Sequence, residues 1–245
     1  MQNNPIIIIP ARMKATRFPN KPLFKIAGLP MIVHCMLRAR EADIAPVLIA
    51  AGDKEIYDCI RDYGGNAVMT APDLPSGSDR IYAALQLYDK AGAHDIIINM
   101  QGDLPTLSPD LLPSVMEPLL QNARCDIATI CATIINKDEV NNENVVKIFT
   151  ALSPDRPIAR ALAFSRAPIP HGDGAHFHHI GLYAYRRAAL QKFVTLPVGI
   201  LEQRERLEQL RALENDLRID VALVDTVPLG VDTMDDAVVA ERLLA

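Results

Sequence analysis

The sequence has no tryptophan, few aromatic residues and no excess of positive charge. Its 25 Lys and Arg residues are outnumbered by 30 Asp and Glu residues, which gives a net charge of −5. This balance argues against a general nucleic-acid or membrane-surface binder. The apolar share of 49% and the charged share of 22% are typical of a globular protein. A chain of 245 residues is long enough for one large domain with a full core.

Cysteine is scarce, and no long apolar run occurs. The four cysteines, at positions 35, 59, 125 and 131, form no CxxC pair, which favours reduced thiols and a cytoplasmic location. No apolar stretch approaches the ~18 residues needed to span a bilayer. The N-terminal run of isoleucines is too short for the core of a signal peptide. We therefore expect a cytoplasmic protein without membrane insertion.

The common nucleotide-binding fingerprints are also missing, since neither GxGxxG nor GxxxxGK[ST] appears. Up to residue 122, buried strand patterns alternate with helical patterns, which predicts an α/β fold with a mostly parallel sheet. From Asp126 to Tyr185 most segments look like strands. We predict one domain over residues 1–245 with a strand-rich insertion at about 126–185 that serves dimerisation and sugar binding. Beyond it, Leu201–Leu213 is predicted to form one helix with a leucine stripe.

The N-terminal segment joins a buried strand to a basic loop. Four isoleucines, Ile6–Ile9, lie between prolines and are followed by Arg12, Lys14, Arg17 and Lys21, with no acid among them. A strand that delivers cations to the rim of a parallel sheet is suited to binding a polyphosphate. A basic, solvated loop explains the same pattern equally well.

Two aspartates follow apolar strands in distant parts of the chain. Asp103 and Asp232 are each expected at a strand exit, where an open parallel sheet binds ligands. Two carboxylates plus phosphate oxygens are suitable ligands for Mg²⁺. The alternative is that Asp103 is a turn residue and Asp232 the N-cap of the last helix.

Four of the six histidines lie close together, at positions 171, 176, 178 and 179. Neighbouring residues on a strand point to opposite faces, so we expect no zinc site there. Strand alternation places His179, Gly181, Tyr183 and Tyr185 on one face, either as a sugar-binding row or as ordinary aromatic packing.

Two other regions add candidates. Arg166 closes a strand and can meet either a substrate carboxylate or a nearby acid. Glu208 and Gln209 flank the leucine stripe, whereas most other charges of the Leu201–Leu213 helix are expected to form surface pairs.

Eight blocks spread along the whole chain carry a resemblance to one family: Pro10–Leu23, Ser76–Arg80, Asn99–Pro105, Asn144–Lys147, Phe164–Pro170, His179–Arg186, Leu207–Arg211 and Gly230–Thr233. In this order they resemble the signatures of the 3-deoxy-manno-octulosonate (Kdo) cytidylyltransferases, also called CMP-Kdo synthetases. The resemblance implies a nucleotide-diphospho-sugar transferase-like, three-layer α/β sandwich with a mostly parallel central sheet and a smaller strand-rich lobe. It also implies a homodimer that uses Mg²⁺ to convert CTP and Kdo into CMP-Kdo and pyrophosphate for lipopolysaccharide synthesis.

The resemblance also assigns roles to individual positions. Catalysis falls to Arg12, Lys21, Asp103 and Asp232, of which the two aspartates hold the metal. The nucleotide is expected to contact Ala11, Arg12, Arg17, Lys21, Ser78, Arg80 and Gln101. The sugar is expected to contact Gln101, Arg166, His179, Tyr183, Glu208 and Gln209.

The chain departs from the family pattern at several positions. Ala15 stands where a serine is usual, Asn20 where a glycine is usual, and Leu104 where an acid is usual. Gly52-Asp53 replaces the usual Thr-Asp, and His178 replaces a common arginine. Two alternatives therefore stay open. One is a cytidylyltransferase for another ulosonic acid, such as 8-amino-Kdo or sialic acid, and the other is a catalytically weakened nucleotide-binding relative.

Overall fold

The computed structural model describes residues 3–14 and 18–244, and this part of the chain divides into two compact units. The first unit comprises the described residues up to 113 together with 228–244, and the second comprises residues 114–227. Ala15 and Arg17, which the sequence singled out, lie outside the described residues.

Strands and helices alternate in the first half of the chain, and strands dominate the middle. The strands are β1 (Pro5–Ala11), β2 (Lys25–Ile26), β3 (Leu29–Pro30), β4 (Val47–Ala51), β5 (Ala67–Met69), β6 (Ile96–Asn99), β7 (Ile127–Thr133), β8 (Lys147–Thr150), β9 (Ile158–Ser165), β10 (Phe177–Arg186) and β11 (Ile219–Val224). The α-helices are α1 (Met31–Glu41), α2 (Lys54–Asp62), α3 (Gly77–Tyr88), α4 (Leu111–Gln121), α5 (Arg187–Thr195), α6 (Ile200–Glu205), α7 (Leu210–Glu214) and α8 (Met234–Leu244). A short 3₁₀ helix covers Lys21–Leu23.

The first unit contains the parallel sheet that the sequence predicts. Its strands run in the order β5-β4-β1-β6, and all three neighbouring pairs are parallel. The four isoleucines of β1 are completely buried because this strand lies between two others, as a continuous apolar run indicates. The carboxyl end of β1 leads directly into the basic loop.

The second unit contains a mixed arrangement of strands in the order β10-β7-β11-β9-β8. Only β7 and β11 are parallel neighbours, and the other adjacent pairs are antiparallel. The strand β8 also pairs with β10, at Lys147 and His178. The antiparallel strands predicted between residues 127 and 185 are therefore present.

The prediction of a single helix over Leu201–Leu213 is wrong. Arg206 has a left-handed backbone, with φ of 55°, and it ends α6 before α7 begins at Leu210. Because of this turn, α7 packs against α6. Arg211 on α7 forms two hydrogen bonds, of 2.8 and 2.6 Å, with the buried carboxylate of Glu202 on α6. This buried ion pair is an exception to the expectation that most charges of the segment form surface pairs.

All four cysteines are free, as the sequence predicts, and Cys35, Cys125 and Cys131 are buried. Burial raises the pKa of the Cys131 thiol to about 12, so this thiol stays protonated at neutral pH. None of the helices formed by residues 3–14 and 18–244 is long and apolar enough to cross a membrane.

Candidate active site

A cleft of about 700 Å³ opens in the first unit. It is lined by the end of β1, the basic loop, the segment before α3, the turn after β6 and the segment before α8. Most of the predicted nucleotide and metal residues of this unit are among its lining residues, namely Ala11, Arg12, Lys21, Arg80, Gln101, Asp103 and Asp232.

Lys21 joins the two predicted metal-binding aspartates. Its Nζ lies 2.9 Å from Asp103 Oδ2 and 2.9 Å from Asp232 Oδ1. Burial lowers the pKa of Lys21, but the charges and hydrogen bonds of Asp103 and Asp232 outweigh that effect and raise it. Lys21 is therefore fully charged at neutral pH, and the two carboxylates converge on one cation.

Asp103 lies in the turn after β6, as predicted. The neighbouring Gly102 is needed there because a Cβ atom would lie only 2.9 Å from the carbonyl oxygen of Pro10. The Val231 N–H donates to the Asp103 carbonyl at 2.9 Å, which ties this turn to the segment that carries Asp232.

The predicted location of Asp232 is partly wrong, because β11 ends at Val224 and residues 225–231 intervene. The N-cap alternative is wrong as well. Thr233 caps α8, since its Oγ1 accepts a 3.2 Å hydrogen bond from Asp236 N–H. Asp236 in turn accepts a 3.0 Å hydrogen bond from the Asp232 N–H. The Asp232 carboxylate is thus not used as a helix cap, and it reaches Lys21 instead.

The end of the basic loop is held by a left-handed turn and an apolar contact. Asn20 has φ of 58° and ψ of 20°, so it adopts the left-handed conformation that the replacement of glycine by asparagine was expected to allow. Phe18 is buried with Ile26, Met31 and Val231. These constraints place Lys21 at the start of the 3₁₀ helix, beside the two aspartates.

The start of the loop is held by Asp53. The Met13 N–H donates to Asp53 Oδ2 at 2.7 Å, and the Gly52 N–H donates to the Ala11 carbonyl at 2.8 Å. A Cβ atom on Gly52 would lie 2.6 Å from the Arg80 guanidinium and 3.2 Å from Arg12 Cβ. Gly52-Asp53, noted in the sequence only as a departure from the family, therefore supports the backbone next to Arg12.

Arg80 is almost completely buried and organises the segment before α3. Its guanidinium donates to Thr70 Oγ1 at 2.5 Å, to the Ala71 carbonyl at 3.0 Å and to the Pro72 carbonyl at 3.2 Å. Burial and the nearby charge of Arg12 lower the pKa of Arg80. Ser78 is buried in the first turn of α3, next to the cleft-lining Gly77.

The second unit contains a row of five rings. The ring centroids of Phe164 and His179 are 4.9 Å apart, those of His179 and Tyr183 are 5.5 Å apart, and those of Tyr183 and Tyr185 are 5.9 Å apart. Phe193 follows at 6.2 Å from Tyr185. The predicted row of His179, Tyr183 and Tyr185 is therefore confirmed, although the pairing with β7 shifts between Ile180 and Tyr183.

His179 is buried and uncharged. Burial, together with the neighbouring His178, lowers the pKa of His179 to about 3. Its Nε2 lies 3.0 Å from Thr129 Oγ1, and that hydroxyl also lies 2.9 Å from the Leu182 carbonyl. All three groups are satisfied when His179 Nε2–H donates to Thr129 and the hydroxyl donates to the carbonyl. In that tautomer Nδ1 is a hydrogen-bond acceptor.

Among the remaining predicted sugar residues of this unit, Glu208 lies near Tyr183. Burial raises the pKa of Tyr183 well above its usual range, and the charges of Tyr185 and Glu208 add to the shift. Gln209 is buried, and Glu208 is partly buried beside Arg211, whose Nη2 lies 3.9 Å from Glu208 Oε1. The structure therefore brings His179, Tyr183 and Glu208 into one region.

Arg166 holds backbone in place. Its Nε donates to the Glu205 carbonyl at 2.9 Å and its Nη1 donates to the Glu143 carbonyl at 2.8 Å. The Glu205 carboxylate accepts from the Arg166 N–H at 2.9 Å and from Ser165 Oγ at 3.0 Å. Together these contacts join the end of β9 to the end of α6. No sequence signal distinguishes Glu205, because its alternation with arginines is also typical of a surface helix.

The donor set in the cleft fits Mg²⁺. Asp103 and Asp232 supply carboxylate oxygens, the ligand type that Mg²⁺ prefers, and this ion usually takes its other ligands from water and phosphate. Both carboxylates already converge on a cation, the Lys21 ammonium.

Comparisons with known proteins extend over the whole chain. Residues 6–219 match the model of a family described as cytidylyltransferase. The chain is 55% identical over 240 residues to a 3-deoxy-manno-octulosonate cytidylyltransferase of Rhodospirillum rubrum, covering 98% of this chain and 95% of that protein. A protein with the same name from Methylorubrum extorquens is 54% identical over 244 residues, covering 99% of this chain and 98% of that protein.

Solved structures agree with these relatives. A structure of CMP:2-keto-3-deoxy-manno-octonic acid synthetase complexed with CTP superimposes with a TM-score of 0.90 at 34% identity, over 98% of both chains. A 4-diphosphocytidyl-2C-methyl-D-erythritol synthase from Anaerococcus prevotii shares the fold, with a TM-score of 0.62 at 13% identity and 98% coverage of both chains. The predicted nucleotidyltransferase-like α/β fold is confirmed. The chain belongs to the cytidylyltransferase family and, within it, to the 3-deoxy-manno-octulosonate cytidylyltransferases.

Proposed function

We propose that this protein transfers CMP from CTP to the anomeric hydroxyl of 3-deoxy-D-manno-octulosonate, giving CMP-Kdo and pyrophosphate for lipopolysaccharide synthesis. The observation that carries the proposal is the cleft in which Lys21, Asp103 and Asp232 converge. The full-length similarity to relatives named for this reaction supports it.

The first unit supplies the nucleotide site. We assign Arg12 and Lys21 to the phosphates, with Arg17 beside them as a prediction from sequence. Ala11, Ser78 and Gln101 complete the nucleotide contacts, and Gln101 also contacts the sugar. Arg80 contributes mainly by shaping residues 70–72, because three hydrogen bonds commit its guanidinium to them.

Asp103 and Asp232 would hold Mg²⁺. When bound, the ion supplies Lewis-acid stabilisation of the charge on the phosphate oxygens.

The second unit supplies the sugar site. We assign His179, Tyr183, Glu208 and Gln209 to the hydroxyl groups of the ulosonic acid. His179 is suited to this role because it stays neutral and presents Nδ1 as an acceptor. Arg166 is assigned to the sugar carboxylate through N–H groups beyond those that it gives to backbone carbonyls.

The reaction needs no protein nucleophile. The anomeric oxygen of the sugar attacks the α-phosphorus of CTP, a new phosphorus–oxygen bond forms, and the bond to the β-phosphate oxygen breaks. The hydroxyl proton leaves to solvent, and pyrophosphate carries away the electron pair of the broken bond. Arg12 and Lys21 stabilise the growing negative charge on pyrophosphate, and fixed positive groups of this kind act on the transition state.

We also propose that the protein is cytoplasmic and that two copies associate through the second unit. The observation that supports the association is that Phe149 and Leu162, on the paired strands β8 and β9, are 41% and 54% exposed. Large apolar side chains exposed together are typical of a protein interface.

Pyrophosphate release tests the proposed reaction. We expect release only when CTP, Mg²⁺ and a sugar acid are all present, with Kdo preferred over 8-amino-Kdo and sialic acid. Preference for another ulosonic acid would correct the substrate. CTP binding without release on the whole panel would instead support the weakened relative and contradict the proposed reaction.

A further inference from the structure

One ammonium group contacts both carboxylates that the proposed metal site needs. Lys21 Nζ lies 2.9 Å from one oxygen of Asp103 and 2.9 Å from one oxygen of Asp232. The Lys21 side chain is only 13% exposed, so this arrangement is partly shielded from water. The same three residues have been assigned to phosphate and to metal in the proposed function.

The ammonium and a divalent cation would compete for these two carboxylates. A lysine ammonium has three N–H donors, and Lys21 directs two of them to the carboxylates. A divalent cation bound by the same oxygens would face the positive charge of Lys21 at close range, which is repulsive. A divalent cation is therefore bound more weakly while Lys21 stays in contact with the two carboxylates.

Lysine is suited to such a movement. Its charge is compact and sits at the end of a flexible four-carbon stem, so the ammonium can change partners while the backbone stays in place. The backbone of Lys21 is held at both ends, because its N–H donates to the Phe18 carbonyl at 3.2 Å and its carbonyl accepts from Phe24 N–H at 3.2 Å. A new negative charge in the same cleft, such as a triphosphate, would compete for the ammonium.

We propose that Lys21 is a stand-in cation for the nucleotide-free protein. Its single positive charge offsets half of the negative charge of Asp103 and Asp232 and holds the two carboxylates together. The phosphates of a nucleoside triphosphate then draw its ammonium away and release both carboxylates to a divalent cation. This inference rests on the proposed function. It explains how the carboxylates stay together before the cation binds. It also makes nucleotide and cation binding mutually reinforcing, as linkage requires.

A titration of the nucleotide-free protein with Mn²⁺, followed by electron paramagnetic resonance of the free ion, tests the proposal. We expect Lys21→Met and Lys21→Gln to bind Mn²⁺ about tenfold more tightly than the wild type, within the usual range of coupling between ligands. Two neutral replacements are used so that a folding defect in one leaves the other measurable. Circular dichroism shows which variants are folded.

Lys14→Met is the matched control. Lys14 lines the same cleft, is exposed, and pairs with no acid among the described residues. Its loss removes the same charge from the cleft, and we expect Mn²⁺ affinity to change by less than about twofold at physiological salt, where exposed charges are screened. The double variant Lys21→Met/Asp103→Asn should lose the gain, because one of the released carboxylates is gone.

Equal Mn²⁺ affinity of the wild type and folded Lys21 variants would overturn the proposal. An equal gain in Lys14→Met would also overturn it, since general electrostatics would then explain the effect. The titration needs neither sugar nor turnover. A wild type that is inactive on every sugar acid would therefore reject the proposed function without deciding this test.

Discussion

The cleft of the first unit and the region around the row of rings in the second unit differ in how far their polar side chains are exposed. In the cleft, the side chains of the two acidic residues Asp103 and Asp232 are 33% and 64% exposed. In the second unit, His179 is buried and neutral, and Glu202 and Arg211 are buried as a pair. Exposed charges can exchange partners at little cost, whereas buried polar groups must keep theirs. The first arrangement suits a highly charged ligand, and the second suits a site shaped in advance.

Breaking the buried ion pair should have the largest effect. Glu202→Ala leaves the Arg211 charge buried without its two-bond partner, and we expect a loss of about 3–5 kcal/mol in the free energy of unfolding. Urea denaturation measures this loss. Asp58→Ala, which removes an exposed partner of Lys54, is the control and should leave the stability nearly unchanged. Similar losses in both variants would contradict the contrast between buried and exposed charges.

Neutralising a cleft carboxylate should act on activity and leave stability intact. We expect Asp103→Asn to lower kcat/KM for pyrophosphate release about 100-fold or more, as loss of a key electrostatic group commonly does. Its melting temperature should stay near that of the wild type, because the Asp103 side chain is partly exposed. Asp235→Asn changes an exposed acid near Asp232 and serves as the control. A fully active Asp103→Asn protein would remove the metal assignment.

Acid should lower the free energy of unfolding because it protonates His179 in the unfolded chain. The pKa of His179 falls from 6.5 to about 3 on folding, so the unfolded chain takes up the proton first. The contribution of His179 to stability is therefore fully present above pH 6.5. It declines as the pH falls towards 3, by at most about 1.4 kcal/mol per pH unit. Unfolding measured at several pH values should show a shallower decline in His179→Gln. Parallel curves for the two proteins would reject a buried, neutral His179.

The smallest effect concerns Glu205, which we expect to position the predicted sugar residues. Glu205→Ala removes the acceptor for Ser165 Oγ and Arg166 N–H, and displacement of the Glu208 segment should raise KM for the sugar about tenfold. KM for CTP should stay constant, and Glu205→Gln should restore most of the loss because it keeps an acceptor. Gln203→Ala, an exposed change on the same helix, is the control. A rise in both KM values would indicate a general structural role.

Much of the fold was predictable from local sequence. The isoleucine run of β1 and the alternation of strands and helices predict the parallel sheet, because burial on both faces requires continuous apolar strands. The structure of the segment Leu201–Leu213 was not predictable in the same way. Its leucine spacing favours one helix, but contacts of Glu205 with Ser165 and of Arg211 with Glu202 stabilise a break at Arg206.

The site shows the same division. Residue types and the order of the motifs were enough to predict the family, the basic loop and the importance of Asp103 and Asp232. Three contacts became known only from the folded chain: Lys21 joins the two aspartates, Asp53 holds the backbone of Met13, and Glu205 holds Arg166. Each of these contacts depends on where distant segments meet in space, and the spacing of residues along the chain does not record that.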